Sequence, residues 1–185
     1  MRVLLTEEQI RQRVAEMGRE IARDFLGKTP VLVGILKGSI YFMADLMRHL
    51  DIDHEVDFIS ISSYASGVSS SGTVRMLKDL DRDITGRDVL VVEDIIDSGL
   101  SLSYLRKNLL SRNPRSLAIA TLLAKEVPRE RQIYVDYCGF EIGDDFVIGY
   151  GLDYAEHFRE LRCVAVMEEE DRRRVDEGRC GLERS

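Results

Sequence analysis

The sequence predicts an α/β fold in which a mostly parallel, twisted sheet is flanked by helices. Short continuous apolar runs such as VLVGIL (Val31–Leu36) are typical of strands that are covered on both faces. Segments with apolar residues at helical spacing lie between these runs, and strands that alternate with helices form parallel sheets. The 185 residues are enough for one such domain with a full core, and not for two.

The expected elements follow in chain order. Thr6 and Gln9 form the capping-box pattern that begins a first helix, and Gly27 is expected to end it. A helix over residues 39–50 follows the first strand, and an amphipathic helix over residues 102–109 stops before Pro114. The remaining strands are expected at residues 56–61, 88–94, 117–124, 134–142, 146–150 and 163–167.

Residues 62–73 (SSYASGVSSSGT) differ in composition from the rest of the chain. They contain six serines, two glycines and no charged residue. Such a segment is typical of a mobile loop, and a long irregular loop in a compact domain is usually functional. We therefore interpret it as a functional lid in preference to a flexible hairpin tip.

The composition argues against several classes of function. A formal net charge of −7 disfavours nonspecific binding to nucleic acid, which needs a basic surface. No apolar stretch is long enough to span a bilayer, and the N-terminus lacks the apolar length of a signal peptide, so we expect a cytoplasmic protein without a membrane partner. The three cysteines are widely spaced without a CxxC pattern, which disfavours a disulfide framework or a zinc site.

The C-terminal segment differs from the predicted domain. Residues 168–185 have almost no apolar content. We expect a polar tail there, either a solvated helix end or a disordered segment. Residues 1–167 are expected to form a single domain.

The segment VLVVEDIIDSGLS (residues 89–101) carries the main functional signal. Gly99 permits a tight turn and a close approach of the backbone, and Ser98 and Ser101 supply hydroxyl groups. The helix that follows offers unpaired N–H groups and the positive end of its dipole. The turn therefore predicts a binding site for a phosphate monoester.

Two acids, Glu93 and Asp94, precede this turn. Carboxylates repel a bound phosphate unless they hold Mg²⁺ or accept hydrogen bonds from sugar hydroxyls. The pattern therefore indicates a phosphorylated sugar with a metal ion alongside. Because successive side chains of a strand point to opposite faces, we expect the two acids to lie where the strand gives way to a loop.

The same thirteen residues resemble the 5-phosphoribosyl-1-pyrophosphate (PRPP) motif of type I phosphoribosyltransferases. Further blocks, in the same order, resemble hypoxanthine-guanine phosphoribosyltransferases: GILKGSIYFMADL, DFISISSY, LLAKEVPR and GFEIGDDFVIGYGLDYAEHFRELR. A lysine followed by a separate FVIGYGLDY block resembles the 6-oxopurine branch. The resemblance covers residues 31–167 and implies the type I phosphoribosyltransferase fold, with a small base-binding hood formed by segments at the two chain ends.

The resemblance assigns the PRPP site to the motif. Glu93 and Asp94 would contact the ribose hydroxyls and help hold Mg²⁺. Asp97 would be the general base that takes the N7 proton of the purine as N9 attacks C1. The family often has lysine or asparagine at the third position of the phosphate turn, where this chain has leucine. The 5-phosphate would therefore bind largely through backbone N–H groups of four residues: Ser98, Gly99, Leu100 and Ser101.

The resemblance also assigns the purine site. Lys125 would donate to O6 of the base, which favours a carbonyl over the amino group of adenine; the alternative is a surface lysine. Phe146 would stack on the base, although simple core packing explains it equally well, and Val147 would contact the base through its backbone. Asp153 would belong to the purine site and help bind a second Mg²⁺.

The leaving pyrophosphate would contact Arg159 and the pair Lys37 and Gly38. The family often has a cis peptide at the bond that precedes this lysine. Ser63 and Tyr64 match the head of the family's catalytic lid, which would exclude water while C1 carries positive charge.

The resemblance implies a purine salvage enzyme with Mg²⁺ as cofactor. It would transfer the 5-phosphoribosyl group from PRPP to N9 of hypoxanthine or guanine, giving IMP or GMP plus pyrophosphate. One alternative is a PRPP-binding regulatory protein without catalysis, and another is a transferase that prefers xanthine or adenine. Because the family commonly forms dimers and tetramers, we expect a homodimer or homotetramer.

Overall fold

The structure is a computed structural model, and it describes residues 1–63, 74–126 and 134–178. The helices in these ranges are α1 (Glu7–Asp24), α2 (Ile40–Arg48), α3 (Leu100–Leu110) and α4 (Glu169–Asp176). The strands are β1 (Arg2–Leu5), β2 (Val31–Leu36), β3 (Glu55–Ser63), β4 (Val74–Lys78), β5 (Asp88–Ile96), β6 (Ser116–Lys125), β7 (Tyr137–Ile142), β8 (Val147–Ile148) and β9 (Val164–Val166).

The central sheet has the strand order β4-β3-β2-β5-β6-β7. All neighbours are parallel except β3 and β4, which pair antiparallel. Leu90 and Val92 of β5 join the core with α1 and α2, whereas Val89 and Val91 join the core with α3. Because the side chains of β5 alternate between two apolar cores, the sheet is covered on both faces. The predicted α/β architecture is confirmed.

Helix α1 begins as the sequence predicts. The hydroxyl of Thr6 accepts a hydrogen bond from the N–H of Gln9, and the Gln9 side chain accepts one from the N–H of Thr6. The helix ends at Asp24 with Phe25 as its C-cap, and Gly27 lies in the following turn with φ +74°. None of the helices in the described ranges has the length and hydropathy needed to cross a membrane.

A second, smaller sheet joins both ends of the described chain in the order β1-β9-β8. This sheet matches the hood that the resemblance implies. Strand β1 was not predicted, because four residues are too few to show a periodic pattern. Strand β8 covers only part of the strand expected at residues 146–150, because Gly149, Tyr150 and Gly151 all have positive φ and turn the chain away.

Strand β4 also escaped prediction, although its side chains alternate in exposure. It pairs antiparallel with β3, and Ser63 lies opposite Val74. The two strands flank the serine-rich segment. Of the two predicted lid residues, Ser63 ends β3, whereas Tyr64 and the rest of the segment to residue 73 lie outside the described residues.

Helix α4 lies in the segment expected to be a polar tail. Val175 packs against the apolar cluster on the small sheet, and the Tyr154 hydroxyl donates a hydrogen bond to Asp176. The terminal ammonium of Met1 lies 2.8 Å from the buried carboxylate of Asp171. Residues 179–185 lie outside the described ranges, so the division of the chain at residue 167 stays a prediction.

Candidate active site

A cleft of about 300 Å³ opens where β2 and β5 separate. The two strands pair as far as Gly34 and Val92, and β5 then continues beside β6 as far as Ile96. Helix α2, which follows β2, packs on one face of the sheet, whereas α3, which follows β5, packs on the other face. This topological switch point is where open α/β sheets bind ligands. The cleft brings together most of the predicted site residues: Lys37, Gly38, Glu93, Asp94, Asp97, Ser98, Gly99, Leu100, Ser101, Asp153 and Arg159.

Glu93 and Asp94 lie inside β5, which continues to Ile96, so the expectation that they lie where the strand gives way to a loop is wrong. Pairing with β2 stops at Val92 while pairing with β6 continues, and the strand is therefore open to the cleft on one side only. Burial raises the pKa of Glu93 well above its ordinary value. The negative charge of Asp94 and a hydrogen bond between the two side chains raise it further.

Gly38 lies where three segments come into close contact: the connection after β2, the end of β5 and the loop after β8. A Cβ atom at Gly38 would overlap Oδ2 of Asp94, and a Cβ atom at Gly151 would overlap the carbonyl oxygen of Gly38. Oδ1 of Asp94 accepts a hydrogen bond of 2.8 Å from the N–H of Ile95, which fixes the carboxylate. The connection after β2, the end of β5 and the loop after β8 can therefore meet only because both positions lack a side chain.

Residues 97–99 form the turn between β5 and α3, and Leu100 and Ser101 begin the helix. Gly99 has φ +78°, a conformation that glycine adopts without strain, and α3 begins at the next residue. The Ser98 hydroxyl accepts a hydrogen bond of 3.4 Å from the N–H of Leu100. Among the residues that the structure describes, no side chain caps the helix at Gly99, so its first turn presents backbone N–H groups suited to a phosphate.

Lys37 and Arg159 form a cationic corner of the cleft. Arg159 Nη2 lies 2.9 Å from Oδ1 of Asp153, and Arg159 Nη1 donates to the carbonyl oxygen of Gly151 at 2.7 Å. Both cations also contact Glu156. Within the described ranges, Arg159 Nε is buried without a hydrogen-bond partner, which leaves a donor for an anionic ligand. The peptide bond before Lys37 is cis, as the resemblance implied.

Lys125 is the last residue of β6, the strand that neighbours β5 on the side away from β2. Its side chain is only 10% exposed, so the alternative of a surface lysine is wrong. The Nζ atom lies 3.7 Å from Oδ1 of Asp97 and 3.6 Å from Oδ1 of Asp144. These two carboxylates compensate the charge of a largely buried ammonium group.

Phe146 directly precedes β8 of the small sheet and Val147 is the first residue of that strand, and neither lines the cleft. The Phe146 ring is 40% exposed, which does not fit simple core packing. It meets Tyr154 edge-to-face at 5.9 Å, and the guanidinium of Arg172 in α4 lies 5.0 Å from its centroid. Val147 is buried and pairs with Val166. The structure therefore leaves the Phe146 ring accessible without placing it in the cleft.

The predicted Mg²⁺ ligands fall into two groups. Glu93 and Asp94 are adjacent carboxylates without a basic partner in the described ranges, an arrangement that calls for a proton or a cation. Asp153 instead contacts Arg159 and accepts a hydrogen bond from the N–H of Glu156. No three metal-binding side chains among the described residues surround one position. These residues fit an ion that takes its other ligands from substrate oxygens or water.

Comparison with known proteins agrees with this geometry. Residues 3–155 match the phosphoribosyl transferase domain. The chain belongs to this family.

This phosphoribosyltransferase is 53% identical over 161 residues to hypoxanthine phosphoribosyltransferase of Escherichia coli K12, which covers 86% of this chain and 90% of the relative. It is 49% identical over 172 residues to hypoxanthine-guanine phosphoribosyltransferase of Mycobacterium tuberculosis, with 90% and 85% covered. A crystal structure of a hypoxanthine-guanine phosphoribosyltransferase from Bacillus anthracis matches with a TM-score of 0.86 at 44% identity, over 91% of this chain and 99% of that chain. The predicted family and fold are confirmed.

Three residues of the phosphoribosyltransferase site were not predicted: Asp144, Gly151 and Glu156. All three lie in the block GFEIGDDFVIGYGLDYAEHFRELR, on which the resemblance partly rests. The contacts of Glu156 with Lys37 and of Gly151 with Gly38 join segments more than a hundred residues apart in the chain, which the sequence does not reveal.

Proposed function

We propose that the chain is a purine salvage enzyme that transfers the 5-phosphoribosyl group of PRPP to N9 of hypoxanthine or guanine. The products are IMP or GMP and pyrophosphate. The observation that carries this proposal is the position of Lys125 beside Asp97, with 3.7 Å between Nζ and Oδ1. Relatives named hypoxanthine and hypoxanthine-guanine phosphoribosyltransferases support it.

The two side chains match one edge of a 6-oxopurine. O6 and N7 are neighbours on that edge, and O6 is an acceptor. Lys125 can only donate and fits O6, whereas the Asp97 carboxylate accepts and fits a protonated N7. Adenine presents an amino group in place of O6, so the ammonium of Lys125 disfavours it.

The PRPP half of the site uses the motif at the end of β5. The segment from Ser98 to Ser101, which contains the turn before α3 and the start of the helix, receives the 5-phosphate through backbone N–H groups. Glu93 and Asp94 accept hydrogen bonds from the ribose hydroxyls. Mg²⁺ bound alongside these acids would neutralise part of the pyrophosphate charge.

Asp97 acts in the step that forms the new bond. N9 of the base bonds to C1 of the ribose while the bond from C1 to the pyrophosphate oxygen breaks, and the N7 proton passes to Asp97. Lys37, the backbone of Gly38 and Arg159 receive the departing pyrophosphate. The buried Nε of Arg159 supports this role, because it is a donor without a partner in the described ranges.

The remaining assignments concern the base and the exclusion of water. Phe146 stacks on the purine and Val147 contacts it through its backbone. Asp153 completes the purine site and would help hold a second Mg²⁺. The exposure of the Phe146 ring supports the stacking role. Ser63 and Tyr64 begin a lid that excludes water while C1 carries positive charge.

The test is a parallel assay with Mg²⁺, PRPP and four bases: hypoxanthine, guanine, xanthine and adenine. We expect turnover with the first two. PRPP binding without turnover of any base would favour the regulatory alternative and end the enzyme proposal. Turnover with adenine alone would contradict the role of Lys125, and faster turnover with xanthine would favour the xanthine alternative.

We infer from the resemblance that copies of the chain form a homodimer or homotetramer in the cytoplasm. Helix α2 exposes about half of Ile40 and of Tyr41, and such apolar surface supports contact between copies. Light scattering measures the mass in solution, and a monomer at micromolar concentration would contradict the inference. Cell fractionation tests the location.

A further inference from the structure

Glu156 joins the two cations of the cationic corner through one oxygen atom. Its Oε2 lies 2.9 Å from Nζ of Lys37 and 3.3 Å from Nη2 of Arg159. The Glu156 backbone has φ +67° and its N–H donates to Asp153 at 2.8 Å. A residue other than glycine rarely adopts this conformation, so the surrounding loop holds Glu156 in place.

The carboxylate of Glu156 is an anion in the position where an anionic ligand would meet both cations. The Glu156 side chain is 65% exposed, and an exposed glutamate is ionised at neutral pH. A phosphate oxygen that approached the same two donors would meet this negative charge. Together with Asp153, Glu156 therefore balances the charges of Lys37 and Arg159 from within the chain.

We propose that Glu156 competes with pyrophosphate for Lys37 and Arg159. Its carboxylate pairs with both cations in the absence of ligand and is displaced from them when pyrophosphate binds. The proposal rests on the function proposed above, because it takes the cationic corner as the pyrophosphate site. Glu156 thereby weakens pyrophosphate binding and speeds its release as product.

Competition fits the contacts better than a supporting role for Glu156. Besides its contact with Glu156, Arg159 has an ion pair with Asp153 and a hydrogen bond to Gly151, so two further contacts hold its guanidinium. The side chains of Glu156 and Lys37 are each 65% exposed, and ion pairs between exposed groups are weak. A polyanion with several charges can displace such a carboxylate.

The test compares Glu156→Gln with the wild-type chain by calorimetric titration of pyrophosphate in the presence of Mg²⁺. Glutamine keeps the size of the side chain and removes its charge. We expect the dissociation constant to fall about three- to tenfold, and the difference to shrink at high salt, which screens charges. Glu160→Gln is the matched control, because Glu160 is exposed on the same loop and has no ion pair within the described ranges. It should bind pyrophosphate within about twofold of the wild-type chain.

An unchanged or weaker affinity in Glu156→Gln, with unfolding as in the wild-type chain, would refute competition. An equal gain in Glu160→Gln would refute it too, because the effect would then reflect net charge alone. If the wild-type chain binds PRPP but not pyrophosphate at millimolar concentration, the assignment of the corner itself is wrong. These results separate failure of the competition from failure of the proposed function.

Discussion

The carboxylate of Asp94 lies against the Cα atom of Gly38, in a space that no side chain at residue 38 could share. Gly38 lies in the connection after β2 and Asp94 lies in β5, beyond the point where these two strands separate. The contact links the turn that contains Lys37 and Gly38 with the acids of the PRPP motif. The absence of a side chain at Gly38 is thus a requirement for the position of the Asp94 carboxylate.

Gly38→Ala should damage binding and stability together. The added methyl group must displace Asp94 or the backbone, and overpacking of this kind costs about 1–3 kcal/mol. We expect Mg²⁺-PRPP affinity to fall at least about tenfold, since about 1.4 kcal/mol corresponds to that factor. Calorimetric titration and urea unfolding measure the two effects. Gly143→Ala is the control, because a Cβ atom there meets nothing within 4 Å; equal effects in both variants would contradict the role of the contact.

Asp97→Asn should slow the chemical step by about 100-fold or more, because an amide cannot accept the N7 proton. PRPP binding should stay largely intact. Single-turnover kinetics measure the step directly. Asp144→Asn is the matched control, because it removes the other carboxylate near Lys125 and leaves Asp97 in place. An unchanged rate in Asp97→Asn would contradict the general-base role.

Lys125→Met should remove the donor to O6 while preserving an unbranched chain. A hydrogen bond to a charged group contributes about 1.5–3 kcal/mol, so kcat/KM for hypoxanthine should fall about 10- to 100-fold. Discrimination against adenine should relax, because the repulsive donor is gone. Steady-state kinetics with both bases measure the ratio. Lys107→Met, on the exposed side of α3, should leave that ratio unchanged; an unchanged ratio in Lys125→Met would show that Lys125 does not read the base.

Asp88 should make stability depend on acid pH. Hydrogen bonds from Arg115 lower the pKa of this buried carboxyl from 3.8 to about 2. Because the folded-state pKa is depressed, the stabilisation is present above about pH 4 and is lost as pH falls toward 2. Since Arg115 is largely exposed, we expect about 1–2 kcal/mol.

Asp88→Asn should therefore lower the free energy of unfolding by about 1–2 kcal/mol at pH 7, and the deficit should shrink toward pH 2. Urea unfolding at pH 7, 5 and 3 measures this. The exposed Asp53 has no ion pair within the described ranges, so Asp53→Asn is the control. A deficit that does not change with pH would show that packing, and not charge, explains the effect.

Much of the site was predictable because its signals are local. The positive φ of Gly99, the helix start at Leu100 and the clustering of Glu93 with Asp94 agree with the motif. The expectation that these acids lie where the strand gives way to a loop was wrong, because the sequence does not show that β5 stops pairing with β2 at Val92 and continues to pair with β6 as far as Ile96. The short strands β1 and β4 were not predicted, because such short segments form strands only through hydrogen bonds to their partners β9 and β3.

The sequence by itself determined the alternation of strands and helices, the phosphate turn and the family, since these depend on neighbouring residues and on burial patterns along each element. Only the tertiary structure decided that Lys125 faces Asp97, that Glu156 joins Lys37 to Arg159, and that Gly38 makes room for Asp94. Lys37 and Glu156 are 119 residues apart. Such contacts depend on how the sheet and the loop after β8 pack together, and no local pattern in the chain shows that two residues so far apart in sequence are close in space.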